Sequence, residues 1–192
     1  MSSSYVNRVD GEGRLAFRLR RCGNRLRTWW KLGVCRPWVR YAGFVRVMKA
    51  VSFAKGKDIR LGSEVQFGPY CDVATSLQTG DWVLVGSHVL FLGRHDHDFS
   101  VPGRPIWEGE RGGDGPIVLE DDVWIGSGSV VLSGVRIGCG SILAAGSVLT
   151  HDIPPCEIWG GQPARKLRDR FATAEEREAH LAALAARKPS NR

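Results

Sequence analysis

From Leu61 onward the chain keeps a period of six between apolar positions, and neither a strand's two nor a helix's 3.6 describes it. In sixes the sequence runs LGSEVQ, FGPYCD, VATSLQ, TGDWVL, VGSHVL. The first position is mostly aliphatic or aromatic, the second is Gly or Ala, and the fifth is apolar in each. The metre returns at Leu119 as LEDDVW, IGSGSV, VLSGVR, IGCGSI, LAAGSV, LTHDIP. Strands of a sandwich would instead alternate with period two, with turns roughly every 8–12 residues. The six-residue repeat predicts a parallel β-helix, an all-β solenoid. Three sixes close one triangular coil, the first-position side chain points inward, and a small neighbour lets the backbone turn the corner. Successive coils stack as parallel strands about 4.8 Å apart, and none buries its apolar side alone.

The interruption is itself informative. Sixes counted from Leu61 reach Phe91 and then miss Leu119 by four residues, so a segment is inserted between the two runs. The interval 93–116 holds six glycines and three prolines among charges, without periodicity. A loop of this length in a compact domain is usually functional or disordered. The predicted organisation is a basic, aromatic-rich and helical N-terminal segment at 1–50, the β-helix at 51–160 with its projecting loop at 93–116, and a turn and helix at 161–192. Thr173 and Glu176, three apart, form a capping box for that last helix, and Pro189 lies beyond its end.

Charge divides the chain unevenly. The net charge is +7, but residues 1–50 alone carry +10, which leaves −3 for the rest. In this segment arginines interleave with Trp29, Trp30, Trp38 and Tyr41. Two readings stay open: short helices packed on the first coils with basic faces in water, or peripheral contact of residues 14–49 with an anionic membrane. No recognition motif supports nucleic-acid binding. The five cysteines are scattered without CxxC spacing, which argues against a disulfide framework and a zinc ribbon. With no apolar stretch of signal-peptide or spanning type, a cytoplasmic location is expected.

The candidate chemistry lies in "GRHDHDFSVPG", residues 93–103, at the root of the insertion. His95 and His97 fit a general base, half of a metal site, or solvated filler. A neutral imidazole is the best side chain for removing a hydroxyl proton near neutral pH.

The stretch "PIVLEDDVWIGSGSVVLSGVRIGCGSILAAGSVLTHDIPPCEIWGGQPARKL", 116–167, carries a resemblance. It resembles the hexapeptide-repeat acyltransferases, nearest to the maltose, galactoside and capsular-polysaccharide O-acetyltransferases. Val123 to Gly126 match the family's "VWIG", Ala145 to Pro155 its "AGSVVTKDIPP", and Gly161 to Ala164 its "GNPA". The likeness spans roughly 59–170. It implies a left-handed β-helix, a homotrimer, and acetyl-CoA as acyl donor in the groove between subunits. It places the catalytic base at His97, with His95 as the alternate. It implies cofactor contacts at Ser127 beside the thioester, Ala145 beside the pantetheine arm, Thr150 and His151 near the nucleotide, and Arg165 and Arg168 at its phosphates. His151 departs from the family's lysine, and no residue matches the family's polar contact to the acceptor.

The expected function is therefore acetyl-CoA-dependent O-acetylation of a sugar or glycan precursor by direct transfer. N-acylation of an amino sugar, a non-catalytic trimeric scaffold, and a zinc carbonic anhydrase using His88, His95 and His97 are the alternatives. No metal is expected.

Overall fold

The structure is a computed structural model that describes residues 13–94, 97–110, 112–113 and 115–187. The chain winds as a parallel β-solenoid with three faces. The first coil contributes β1 (Val39–Tyr41), β2 (Val45–Val47) and β3 (Ser52–Phe53). The second contributes β4 (Ile59–Leu61), β5 (Val65–Phe67) and β6 (Asp72–Val73), and the third β7 (Leu77–Thr79), β8 (Leu84–Val85) and β9 (Leu90–Leu92). After the inserted loop come β10 (Ile117–Leu119), β11 (Trp124–Ile125), β12 (Val130–Leu132), then β13 (Arg136–Ile137), β14 (Ile142–Leu143) and β15 (Val148–Leu149). The first face stacks β1-β4-β7-β10-β13, the second β2-β5-β8-β11-β14, and the third β3-β6-β9-β12-β15. The second face continues through β16 (Glu157–Gly161) into an antiparallel strand, β17 (Ala164–Asp169).

The hexads explain what fills the interior. Leu61, Phe67, Val73, Val85, Phe91, Leu119, Ile125, Val131, Ile137, Leu143 and Leu149, all first positions, are buried. Phe53, Phe67 and Phe91 pack edge to face with centroids 5.4 and 6.4 Å apart. Fifth positions also point inward. In the later coils three of them are Ser129, Ser141 and Ser147, all buried. Their hydroxyls donate to the carbonyls of Ala144, Pro154 and Ala144 at 3.1, 2.7 and 2.6 Å, which removes the cost of burying them.

The solenoid begins earlier than expected. Strands β1 and β2 fall within residues assigned to the N-terminal segment, so the boundary at 51 moves to Val39. The first coil does keep the metre, with Tyr41, Val47 and Phe53 in phase with Leu61, Phe67 and Val73. Two additional residues in this coil put Val39 opposite Ile59, whereas Ile59 faces Leu77, and counting back from Leu61 lands on lysines instead. The boundary at 160 likewise cuts through the β16–β17 pair.

Both ends of the coil stack are covered. Helix α1 (Arg14–Thr28) runs on as a π-helical turn, Trp29–Val34, and plugs the open end with the fully buried Leu32. The terminal coil's carbonyls, which no further strand satisfies, accept from this segment. Thr28 Oγ1 donates to Val45 O, Lys31 Nζ to Val47 O and Met48 O at 3.1 and 2.9 Å, and Arg36 Nη2 to Val51 O at 3.2 Å. Helix α2 (Ala174–Arg187) starts at the expected capping box: Glu176 N–H donates to Thr173 Oγ1 at 3.2 Å and Thr173 N–H to Glu176 Oε2 at 3.4 Å. His180 anchors it to Asp122 at 2.9 Å and packs at a tilt against Phe171. No helix among the described residues is long and apolar enough to cross a membrane.

Candidate active site

The site residues divide between the two edges of the third face. At the corner entering this face, each coil carries a backbone φ in the left-handed region: Ala50, Tyr70, His88, Gly128 and Gly146. In the first three coils a side chain stands there. In the last two it is glycine, and a Cβ built on Gly146 would meet nothing within 4 Å. Ser127 and Ala145 are exposed beside these glycines. The result is a bare lane along Ser127–Gly128 and Ala145–Gly146, closed at one end by His88 stacked on Tyr70 with centroids 5.0 Å apart. Packing of the coils is tight beneath it: a Cβ on Gly126 would lie 2.3 Å from the Ala145 nitrogen.

The other end of the lane leads to the β16–β17 turn. Gln162 Nε2 donates to Gly146 O at 2.7 Å and Gly161 N–H to Ser147 Oγ at 3.2 Å, so this turn is pinned to the lane. Arg165 and Arg168, on β17, are exposed and donate only to backbone carbonyls of Ala164 and Asp169 at 2.9 and 3.1 Å. Neither has a carboxylate partner among the described residues. Lys166 between them is committed to Glu157 and Asp169, both at 2.8 Å. The two arginines keep their charge available for an anion, and the lysine does not.

Thr150, His151 and the loop root lie at the opposite edge of the face. Between Ala145 and Thr150 the chain turns the corner at Gly146 and crosses the face as β15. Thr150 Oγ1 and His151 Nδ1 are 2.8 Å apart. Arg94 N–H donates to Ser133 Oγ at 2.9 Å and Arg94 Nη2 to Thr150 O at 2.5 Å, tying the loop root to both later coils. His97 follows, half-buried, and its Nδ1 is buried with no hydrogen-bond partner among the described residues. His95 lies outside the described residues. The loop then closes on itself. Asp98 N–H donates to Glu110 O at 2.8 Å, and hydrogen bonds from the Ser100 side chain and N–H hold the Asp98 carboxyl below the usual carboxylate range. Its outer part presents Phe99, Ile106 and Trp107 to solvent, with Trp107 89% exposed.

The structure thus sets Ser127, Ala145 and the β17 arginines along one edge and Thr150, His151 and the loop root at Arg94, three residues before His97, along the other. Arg94 and Gln162, which hold the two edges in place, were not foreseen. Both were legible in part: Arg94 directly precedes the histidines, and Gln162 sits within "GQPA". Among the described residues no cluster of three metal-type ligands occurs.

Comparison with known proteins agrees with this fold. Residues 116–151 match the bacterial transferase hexapeptide (six repeats) model. A hexapeptide-repeat-containing acetyltransferase from Vibrio cholerae superposes with a TM-score of 0.63 at 30% identity, over 84% of this chain and 95% of that one. Its complex with acetyl coenzyme A gives 0.62 and 31% over 86% and 94%. A Schizosaccharomyces pombe protein described as an acetyltransferase is 37% identical over 62% of this chain and 56% of its own. The 2,3,4,5-tetrahydropyridine-2,6-dicarboxylate N-acetyltransferase of Staphylococcus aureus is 39% identical over 36% and 29%. The chain therefore spans about half or less of the curated relatives it matches. It belongs to the hexapeptide-repeat acetyltransferases.

Proposed function

We propose that this protein transfers an acetyl group from acetyl-CoA to a hydroxyl of a sugar or glycan precursor, with His97 as general base. The observation that carries the reading is the bare lane past Ser127 and Ala145, which leads to two arginines that have no carboxylate partner among the described residues. A thin, flexible pantetheine arm fits a channel from which side chains have been removed, and its nucleotide phosphates fit Arg165 and Arg168. The acetyl-CoA complex of the Vibrio cholerae relative supports the same donor.

The chemistry asks for two things. A hydroxyl keeps its proton until it attacks, so a base must take that proton, and imidazole contributes about 10²–10⁴ in rate. The developing oxyanion needs a donor, for which the backbone N–H at Ser127 is the candidate. The carbonyl carbon then loses CoA as the thiolate, which takes up the proton held by His97. No covalent intermediate on the chain is required.

A homotrimer completes the site. His97 leaves one edge of the third face and the lane occupies the other, so a neighbouring copy is needed to bring base and thioester together. Two exposed apolar features support this packing: Leu84 and Trp124 side by side on the second face, and the loop's Phe99, Ile106 and Trp107. An acceptor of the neighbouring copy would also satisfy the buried Nδ1 of His97 and set the tautomer that leaves Nε2 basic.

The test is CoA-thiol release across a panel of sugars, amino sugars and nucleotide sugars, with mass spectrometry of the product. Acetyl ester on a hydroxyl supports the reading, amide on an amino sugar replaces it with N-acylation, and absence of both CoA binding and turnover leaves a scaffold. Light scattering should give three times the 21.1 kDa chain mass. A stable monomer would exclude a site shared between subunits.

A further inference from the structure

Helix α1 is mounted inside out. The side turned to the solenoid is polar and aromatic: Phe17, Arg20, Arg21, Asn24 and Thr28 are half-buried or buried there, with Arg21 paired to Glu64 at 2.5 Å and lying over Phe44. The outward side is apolar. Leu15, Leu19 and Leu26 are each about two-thirds exposed, Cys22 stands between them, and Trp29 and Trp30 extend the stripe at more than half exposure. Spacings of four, three, four and three place Leu15, Leu19, Cys22, Leu26 and Trp29 on one line of the helix. Burying this stripe is favourable by tens of calories per Å², and no described residue covers it.

Charge decides what covers it. Exposed Arg18, Arg25 and Arg27 flank the stripe, and residues 13–50 contain no acidic residue. Beside Trp30 opens a cleft of about 490 Å³ between α1 and the end of β2, whose cations are Arg27, Lys31, Arg46 and Lys49 and whose lining includes no carboxylate. Crowding is evident within it, since burial, Arg27 and Arg36 lower the Lys31 pKa from its ordinary value. A second copy of α1 would set like charges against each other along both flanks. An anionic, apolar-cored partner satisfies stripe and cleft together.

The geometry points to an anionic lipid surface as the occupant: Leu15, Leu19 and Leu26 enter the acyl boundary, Trp29 and Trp30 sit at the headgroup level, and the cleft holds a lipid phosphate. This attachment deepens the acetyltransferase reading by placing the site beside a membrane, where a lipid-linked glycan is presented, and it stands without that reading. It also explains why the solenoid is capped by a helix whose leucines face outward.

The full chain is sedimented with vesicles of phosphatidylcholine alone and of phosphatidylcholine with about one-third phosphatidylglycerol. Binding to the anionic vesicles, weakened by salt and absent from neutral ones, is expected. Leu19→Glu with Leu26→Glu should abolish it. Arg27→Gln with Lys49→Gln should lower partitioning by about five-fold per charge removed, from roughly 1 kcal/mol each. These positions are exposed, and an unchanged melting temperature and CoA-dependent stabilisation show that the variants fold and bind donor. Equal binding to both vesicle types, or binding indifferent to the glutamates, overturns the proposal. So does an unbound protein whose assembly the glutamates dissociate, because the stripe then belongs to a second copy. Stabilisation by inorganic phosphate with no vesicle binding would make the cleft a soluble-anion site instead. A failed acetyl-transfer assay leaves the vesicle result unaffected.

Discussion

The Arg94 guanidinium donates to the carbonyl of Thr150, 56 positions further on, at 2.5 Å. This contact joins the root of the inserted loop to the last full coil and fixes where His97 leaves the solenoid. Arg94→Ala removes the exposed hydrogen bond to Thr150, worth about 1 kcal/mol, together with the other contacts of this side chain. Turnover should fall about five-fold, and limited proteolysis should cut the loop faster. Unchanged rates in both assays would show that the loop holds its position without Arg94.

If His97 is the proposed base, His97→Ala should reduce turnover by about two to four powers of ten while CoA affinity stays close to wild type, since a base acts on the acceptor's proton and not on the donor. His88→Ala is the informative control. It removes the ring stacked on Tyr70 at the end of the lane, and most of the activity should remain. Single-turnover kinetics of the two variants separate them. A dead His88→Ala protein with a competent His97→Ala protein would reassign the base.

Arg165→Ala and Arg168→Ala should each weaken CoA binding by about 1–3 kcal/mol, as expected for charge-assisted contacts. Lys166→Ala should weaken it far less, because that ammonium already bridges Glu157 and Asp169. Calorimetric titration of the three variants checks the order, and equal losses at all three would point to a diffuse basic surface.

The thiols divide by burial. Cys22 and Cys35 are exposed, whereas burial raises the pKa of Cys71, Cys139 and Cys156 above the ordinary value. Cys139 is pushed up to about 11 by burial and then by Asp121. Alkylation near neutrality should therefore modify two cysteines quickly and three only on unfolding, as counted by mass spectrometry. A thiol pKa raised in the folded state means the folded protein binds more protons. This contribution to stability is complete below pH 9 and is lost as pH rises toward about 11. Cys139→Ala should flatten the melting-temperature profile across that window.

The hexads from Leu61 and Leu119 carried the fold because each first position has one place to go, the interior of a three-sided coil. The first coil was missed because two added residues shift its phase, although Tyr41, Val47 and Phe53 still keep the six-residue step. Ser127, Ala145, Arg165 and Arg168 keep unbroken spacing to the "VWIG" and "GQPA" signatures, and that spacing is what made them candidates. That the loop root at Arg94 and Ser127 lie at opposite edges of the third face was not legible, since spacing along the chain gives no account of the corner at which each coil leaves a strand. The outward leucines of α1 look in sequence like any amphipathic helix, and the pairing of Arg21 with Glu64 and the burial of Thr28 reveal which side is turned away.

The inserted loop leaves the register above and below it undisturbed. Leu77 faces Ile117, Leu84 faces Trp124 and Leu90 faces Val130, the same offset on all three faces, and the following coil resumes the original step. The whole length difference is absorbed at a single corner. The coil stack is thus a chassis indifferent to what is hung from that corner. A loop of another length or composition can be transplanted between Gly93 and Pro116 without re-registering a strand. What hangs from that corner can therefore be exchanged while the lane along Ser127–Gly128 and Ala145–Gly146 keeps its shape.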